Sequence, residues 1–407
     1  MTTLPRILVI GYCYPPTASP EAFVTAKLLR NIPNCKIDVL TLEAGLVSNF
    51  RDPEMGKYAQ DINGEVFKVN PSLLARILCR SPRLPLRPDR WLLANSSVRK
   101  KALDLLPNGY DCVVTRSQYH SAHLIGLHLK KRFPELPWIA CFSDPWSNSD
   151  HQKNVPLFSA YSRNLEKKVL ANANQLVFPT EGLMLHMTNN DKNLRQKSSI
   201  VPHGYDPRLY HDSDELTKKI PANGTTEYCW RIFGSFYGNR QPDILIKALQ
   251  LINIPKGKKV RIEIYGTAHE KYTELDQFNT KYNDREILYM GQTPHKNALR
   301  LMQNSDLLIV VDSTELEQSF YLPSKIIDYF GSGTPVLSIC RAGTVENITI
   351  ANGHHVANID DTQSISIAME KAIEREKSQR TRKKAITEYD AHAIGSKFRK
   401  IIQSNHQ

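Results

Sequence analysis

The chain has 407 residues, too many for one ordinary hydrophobic core, so two domains are expected. Its 41% hydrophobic and 23% charged content is that of a globular protein; it excludes a low-complexity chain, and no apolar run approaches a membrane span. The net charge of +12 favours anionic partners, either phosphate-bearing small molecules or lipid headgroups. No zinc-finger spacing, basic coil or RNP-like aromatic motif accompanies that charge, so nucleic acid is not expected.

In chain order, "MTTLPR" runs straight into a strand-like segment, so no secretory leader is expected. Seven cysteines stand singly, without CxxC pairs, which reads as reduced thiols in a cytoplasmic protein. β-Rich runs at 6–12, 36–42, 111–117, 138–144, 175–180 and 198–204 alternate with helical stretches such as Glu21–Asn31 and Ser121–Phe133. Strands this continuously apolar are buried on both faces, as in a parallel sheet covered by helices. A polar stretch over 207–227 lacks apolar periodicity and reads as an interdomain connection. Alternation then restarts with strands at 229–235, 260–266, 286–291, 306–312 and 336–340, and helices at 241–252 and 294–304. The fold class is therefore α/β, with two Rossmann-like domains facing across a cleft. The expected boundaries are 1–206 and 228–380. Lys371–Gln403 reads as a basic helical segment and 381–407 as a C-terminal helix, whose attachment to either domain is not readable.

Chemistry concentrates at 321–337, "YLPSKIIDYFGSGTPVL". A helix starting near Pro323 leaves free amides and the positive end of its dipole for a phosphate, and Lys325 adds a full charge. Asp328, three residues on, lies on the same face one turn deeper, placed to accept two ribose hydroxyls. The competing reading is a solvated surface Lys–Asp pair. Other residues just past strand ends are His120, His123, Asp144 in "FSDPW", Glu181 and Gly204. His120 and His123 are either ligand contacts or capping and packing residues. Asp144 suits a general base within reach of a hydroxyl, or a cap for the next turn. Gly204 suits a tight turn or a close approach of backbone to ligand. "NIDDT" (358–362) lacks DxD spacing, so no metal site is expected.

Residues 71–106 carry eight cations (Arg76, Arg80, Arg83, Arg87, Arg90, Arg99, Lys100 and Lys101) against two acids, Asp89 and Asp104. Leu73, Leu74, Ile77 and Leu78 form a helical stripe flanked by Arg76 and Arg80, with Trp91 following. A basic amphipathic segment of this kind can lie in an anionic membrane interface. The alternative is a hairpin that packs its leucines on the first domain.

"YLPSKIIDYFGSGTPVL" resembles the nucleotide-sugar motif of group 1 (family 4) retaining glycosyltransferases with the GT-B fold. "ILVIGYCYPPTASPEAFVTAKLLR", "FSDPW", "VPHGYD" and "FGSFYGNRQPDILIKAL" resemble further segments of that family. The resemblance implies retaining, metal-independent transfer of a sugar from a nucleotide diphosphate, UDP-sugar being the type case. The acceptor would be a glycan or a lipid-linked molecule in surface polysaccharide or glycolipid assembly, and no cofactor is implied. It implies catalytic roles for Arg240, Lys325, His120 and Asp144. Donor contacts would come from Asp328, Ser324, Glu317, Ser319, Gly234 and Gly204. Three departures stand out. Phe320 occupies the place of the first of two usual glutamates, leaving Glu315, Glu317 or Ser319 to substitute. Ser235 and Arg240 stand where an arginine–lysine pair is usual. "TASPEA" replaces a double glycine in the first loop. Two alternatives stay open: a nucleotide-sugar epimerase of the same architecture, and a non-catalytic nucleotide-sugar-binding scaffold.

Overall fold

The computed structural model describes residues 4–81, 84, 86–147, 156–210, 226–236, 242–267, 273–312, 318–378 and 385–404. The chain forms two compact units, the first Met1–Gly204 with Ala391–Gln407, the second Tyr205–Asp390.

The first unit contains β1 (Arg6–Gly11), β2 (Lys36–Leu42), β3 (Val66–Val69), β4 (Cys112–Arg116), β5 (Trp138–Cys141), β6 (Gln175–Phe178) and β7 (Ser198–Ile200). They form one sheet in the order β3-β2-β1-β4-β5-β6-β7, every pair parallel. Ile7, Leu8, Val9 and Ile10 are all at most 1% exposed. Successive side chains point to opposite faces, so both faces of the central strand are covered. The Pro20–Arg30 helix follows β1; Ser19 caps it by accepting from the Ala22 amide, and Pro20 occupies its first turn.

The second unit contains β8 (Thr226–Phe233), β9 (Lys258–Tyr265), β10 (Arg285–Gly291), β11 (Leu307–Asp312), β12 (Val336–Cys340) and β13 (His355–Asn358). Its sheet is also parallel throughout, in the order β10-β9-β8-β11-β12-β13. β11 shows the alternation that splits this core in two. Leu307, Ile309 and Val311 pack with Trp230 and Ile262, while Leu308 and Val310 pack with Ile326, Ile327 and Phe330. Each sheet reverses its strand order once, between β1 and β4 and between β8 and β11. In doubly wound sheets ligands bind at that reversal, beyond the carboxyl ends of the strands.

Three expectations change. The connection expected at 207–227 begins inside the second unit, because Tyr205 and Tyr210 are buried in its core around the Pro207–Leu209 turn. The basic segment at 371–403 is two helices: Thr362–Ser378 in the second unit and Ala391–Ser404 in the first. Between them Tyr389 is buried in the second unit, and it pins the chain there before the last helix leaves. Trp91, expected in an exposed interfacial segment, is 1% exposed and meets Tyr119 edge-on. Its indole belongs to the core.

The Ala391–Ser404 helix buries Ile394, Phe398, Ile401 and Ile402. Gly395 touches the end of the Pro20–Arg30 helix so closely that a Cβ would overlap the Asn31 carbonyl. Gly395→Ala should therefore destabilise the first unit by about 1–3 kcal/mol, the usual effect of overpacking. Urea unfolding followed by tryptophan fluorescence measures it; an unchanged midpoint would disprove this contact.

Candidate functional site

In the second unit the site grows from the ends of β8 and β9. β8 delivers Gly234 with φ of 134°, a conformation that side chains rarely adopt. β9 delivers Gly266, where a Cβ would overlap the Gly234 carbonyl. The two glycines let the strand ends approach. Gly234 donates its amide to Tyr265 O at 2.8 Å, and Ser235 Oγ accepts from the Thr267 amide at 2.9 Å.

The helix anticipated in the 321–337 motif spans Ser324–Ser332 and ends at Gly333 in the left-handed conformation, φ 71°. Pro323 stands just before the first helical residue rather than on it, and no side chain caps this end. Pro323 offers no side-chain acceptor there, and the positive end of the helix dipole falls at Ser324. A Cβ on Gly234 would lie 3.2 Å from Lys325 Nζ, so the lysine ammonium sits over the glycine backbone. Gly234 and Lys325 thus come together beside the strand reversal, where the ammonium and the helix dipole favour an anion.

Asp328 is not a surface ion-pair partner: it is 5% exposed. Tyr210 donates to its carbonyl at 2.9 Å, with Asp328 Oδ1 at 3.5 Å, and His295 Nε2 stands 4.0 Å from Oδ2. Burial and the Asp328 charge hold the Tyr210 phenol well above its ordinary range, so it stays a proton donor. Ser319 is buried; its hydroxyl donates to Asp312 at 2.8 Å and its carbonyl accepts from the Thr344 amide at 2.7 Å. The Ser319 hydrogen is therefore committed to bracing the loop. Phe320 packs on Tyr321. Arg240, Glu315 and Glu317 lie outside the described residues.

A second polar group occupies the ends of β4 and β5 in the first unit. Arg116 donates to Glu21 Oε1 (3.0 Å) and Thr25 Oγ1 (2.9 Å), and Ser143 Oγ donates to Glu21 Oε2 (2.7 Å). Burial raises the Glu21 carboxyl, with Arg116 opposing it. Beside it Asp144 accepts from Gln118 Nε2 at 3.1 Å, and burial lifts its carboxyl to about 6. That value suits proton exchange near neutrality.

His120 precedes the Ser121–Arg132 helix but makes no capping bond, which removes the capping reading. It stacks on Trp146 at 4.9 Å between ring centres; burial lowers it to about 4, so the ring is neutral. Its Nδ1 is buried without a hydrogen-bond partner among the described residues. His123 is buried and held through its Nδ1. Trp138 Nε1 donates to Thr115 Oγ1 at 2.8 Å, which directs the threonine hydrogen to His123 Nδ1, also at 2.8 Å.

Gly204 does not need a left-handed turn. A Cβ there would stand 3.0 Å from Ala391 Cα, so glycine admits the start of the last helix. Next to it His203, which sequence reasoning passed over inside "VPHGYD", is buried; desolvation and the nearby Arg116 lower it to about 3. Arg116, Glu21, Asp312, Tyr210 and His295 were likewise missed. Arg116 and Asp312 are strand-terminal polar residues after apolar runs, a signal available in the sequence. Tyr210 lay in a segment that showed none.

No family model matches the sequence, and no curated protein matches it. Solved structures do. Anabaena Alr3699/HepE in complex with UDP-glucose aligns over 98% of this chain and 98% of its own, at 16% identity and a TM-score of 0.59. The lipopolysaccharide outer core galactosyltransferase WaaB, in its apo form, covers 98% and 99% at 11% identity and a TM-score of 0.61. Sucrose-phosphate synthase from Thermosynechococcus elongatus covers 99% and 95% at 14% identity and a TM-score of 0.62. The fold is that of the GT-B glycosyltransferases. At these identities the likeness carries the GT-B architecture over nearly the whole chain.

Asp144 supplies a pH test. A carboxyl raised from 3.8 to about 6 binds more protons folded than unfolded between those values, so stability falls as pH rises through that window. Asp144→Asn should raise stability by about 1–2 kcal/mol at pH 8. The gain should shrink as pH falls through 6 and vanish near 4. Thermal unfolding of both proteins across that range checks it; a pH-independent difference would mean that Asp144 titrates normally.

Proposed function

We propose that the protein is a glycosyltransferase that moves a sugar from a nucleoside diphosphate to a glycan or lipid-linked acceptor in surface polysaccharide or glycolipid assembly. One observation carries the reading. An uncapped helix end, Lys325 and Gly234 meet at the strand reversal, with Asp328 one turn deeper, on a GT-B fold. HepE was solved with UDP, with UDP and glucose, and with UDP-glucose, and WaaB is a galactosyltransferase of the lipopolysaccharide outer core. Both support a UDP-sugar donor and a surface-glycan acceptor here.

The Ser324–Ser332 helix end and Lys325 receive the diphosphate, and Arg240 adds a second cation. As the glycosidic bond breaks, negative charge gathers on the leaving diphosphate. Positive charge and helix dipole preorganised at that point lower the barrier, so no metal is required. Asp328, held between Tyr210 and His295, accepts ribose hydroxyls. In the first unit Asp144 takes up a proton from the attacking hydroxyl, and the neutral His120 offers Nδ1 to a sugar hydroxyl. The sugar retains its anomeric configuration. Single, unpaired cysteines and a basic chain suit work in the cytoplasm at the inner face of the membrane.

Thermal unfolding with UDP, GDP, dTDP, ADP and CMP and their sugars tests the donor. A ligand at a hundred times its Kd adds about 2.7 kcal/mol. One nucleoside diphosphate should stabilise the wild type, and Lys325→Ala should weaken it by about ten- to a hundredfold through loss of a charged phosphate contact. A stabilising nucleotide without release of nucleoside diphosphate from its sugar, with or without acceptor, would favour a binding scaffold. No stabilisation by any nucleotide would overturn the donor site.

A further inference from the structure

The Leu73–Arg80 helix of the first unit is inside out. It buries its small residues, Ala75 and Cys79, and turns its large aliphatic ones to solvent: Leu73 is 69% exposed, Leu74 66% and Ile77 59%. At 100° per residue these three occupy one arc, opposite Ala75 and Cys79. Arg76 and Arg80 stand on the arc's edge, and Arg80 is anchored by donating to Gly45 O at 3.3 Å. An amphipathic helix that serves a core faces the other way. Ser72 caps the helix by accepting from the Ala75 amide, so its exposed face is held on an ordered element rather than on a fraying end.

The sequence around this helix carries charge of nearly one sign. From Val66 to Leu103 the sequence holds a single acid, Asp89. Its carboxylate is turned inward, accepting from the Ser121 amide (2.7 Å) and hydroxyl (2.8 Å) and from the Trp91 amide (2.9 Å). The large side chains that the Leu73–Arg80 helix exposes are aliphatic and cationic.

We propose that this helix docks the protein on an anionic lipid bilayer, lying flat with Leu73, Leu74 and Ile77 below the headgroups and Arg76 and Arg80 among the phosphates. Leucine and isoleucine gain from leaving water, while arginines at the rim gain from anionic headgroups, and a bilayer surface offers both in the same depth order. A second copy of this chain fits poorly. Two such helices face to face would bring the arginines of both together, and neither helix carries a carboxylate of its own. The proposal uses only the first unit and does not rest on the donor site, so either can fail alone. It also relocates the anchor: Trp91 is in the core, and the three aliphatic residues replace it.

The test is flotation of the full-length protein with vesicles of phosphatidylcholine, alone or mixed with phosphatidylglycerol, at low and raised salt. The wild type should float with the anionic vesicles, and less so as salt rises. Leu73→Glu/Ile77→Glu should lose that binding by at least about tenfold. Leu251→Glu, at an exposed leucine (53%) of the second unit, should float like the wild type. Arg76→Gln/Arg80→Gln should lose the preference for anionic vesicles and most of the salt dependence. Failure of the wild type to float, or flotation of Leu73→Glu/Ile77→Glu like the wild type, overturns the proposal. So does sedimentation showing a lipid-free wild-type dimer that the double glutamate variant dissociates, since the face would then belong to a second copy.

Discussion

The Phe233 amide donates to the Tyr329 hydroxyl at 2.8 Å, and the same hydroxyl reaches toward the Ile309 carbonyl at 3.5 Å. Tyr329 therefore ties the Ser324–Ser332 helix to the end of β8 and to β11, the two strands that flank the reversal in the second sheet. Its ring is buried, and burial holds the phenol protonated, so it serves as acceptor and donor at once. Gly234 follows Phe233 directly. Without that tether neither the glycine's backbone nor Lys325 above it would have a set position, and an anion site needs its donors placed before the anion arrives. Tyr210 performs the same service one residue earlier on the helix, bonding the Asp328 carbonyl.

The polar groups of the first unit divide by how they meet burial. Glu21 is buried beside Arg116, with Thr25 and Ser143 completing its hydrogen bonds, so its charge is matched. A pair of this kind resists change, because removing either member strands the other. Among the described residues Asp144 receives a neutral amide, that of Gln118, and it is the carboxyl that burial lifts to about 6. Two acids near the ends of neighbouring elements thus have separate characters: one holds the floor of the site and one can exchange a proton.

How far the sequence could be read depended on whether a residue's signal was local. Parallel strands announce themselves as unbroken apolar runs, and both sheets were legible for that reason except at one edge of each, where the short, partly exposed Val66–Val69 and His355–Asn358 went unread. The helix at Ser324–Ser332 was legible because Pro323, Lys325 and Gly333 carry their meaning within a few residues. Asp328 was found by its spacing, but its burial was not, since Tyr210 and His295 come from distant segments. Gly204 read as a turn or ligand-approach residue and Gly395 drew no reading; their reason is a helix end and a neighbouring carbonyl brought close only by the tertiary fold. The inverted Leu73–Arg80 helix shows the limit most plainly. Periodicity located its apolar stripe but could not say which way the stripe pointed.

The return of the last helix to the first unit has a consequence for how the protein is made. On the ribosome the first sheet is complete long before Ile394 and Phe398 exist, and the whole second unit must emerge in between. For that interval the groove around Val24, Leu28, Phe178 and His203, which these two side chains line in the finished protein, lacks them. An apolar groove left open during synthesis is a natural stop for a chaperone, and a chain truncated anywhere in the second unit would keep it open for good. The order of translation thus makes the first unit the last to be finished.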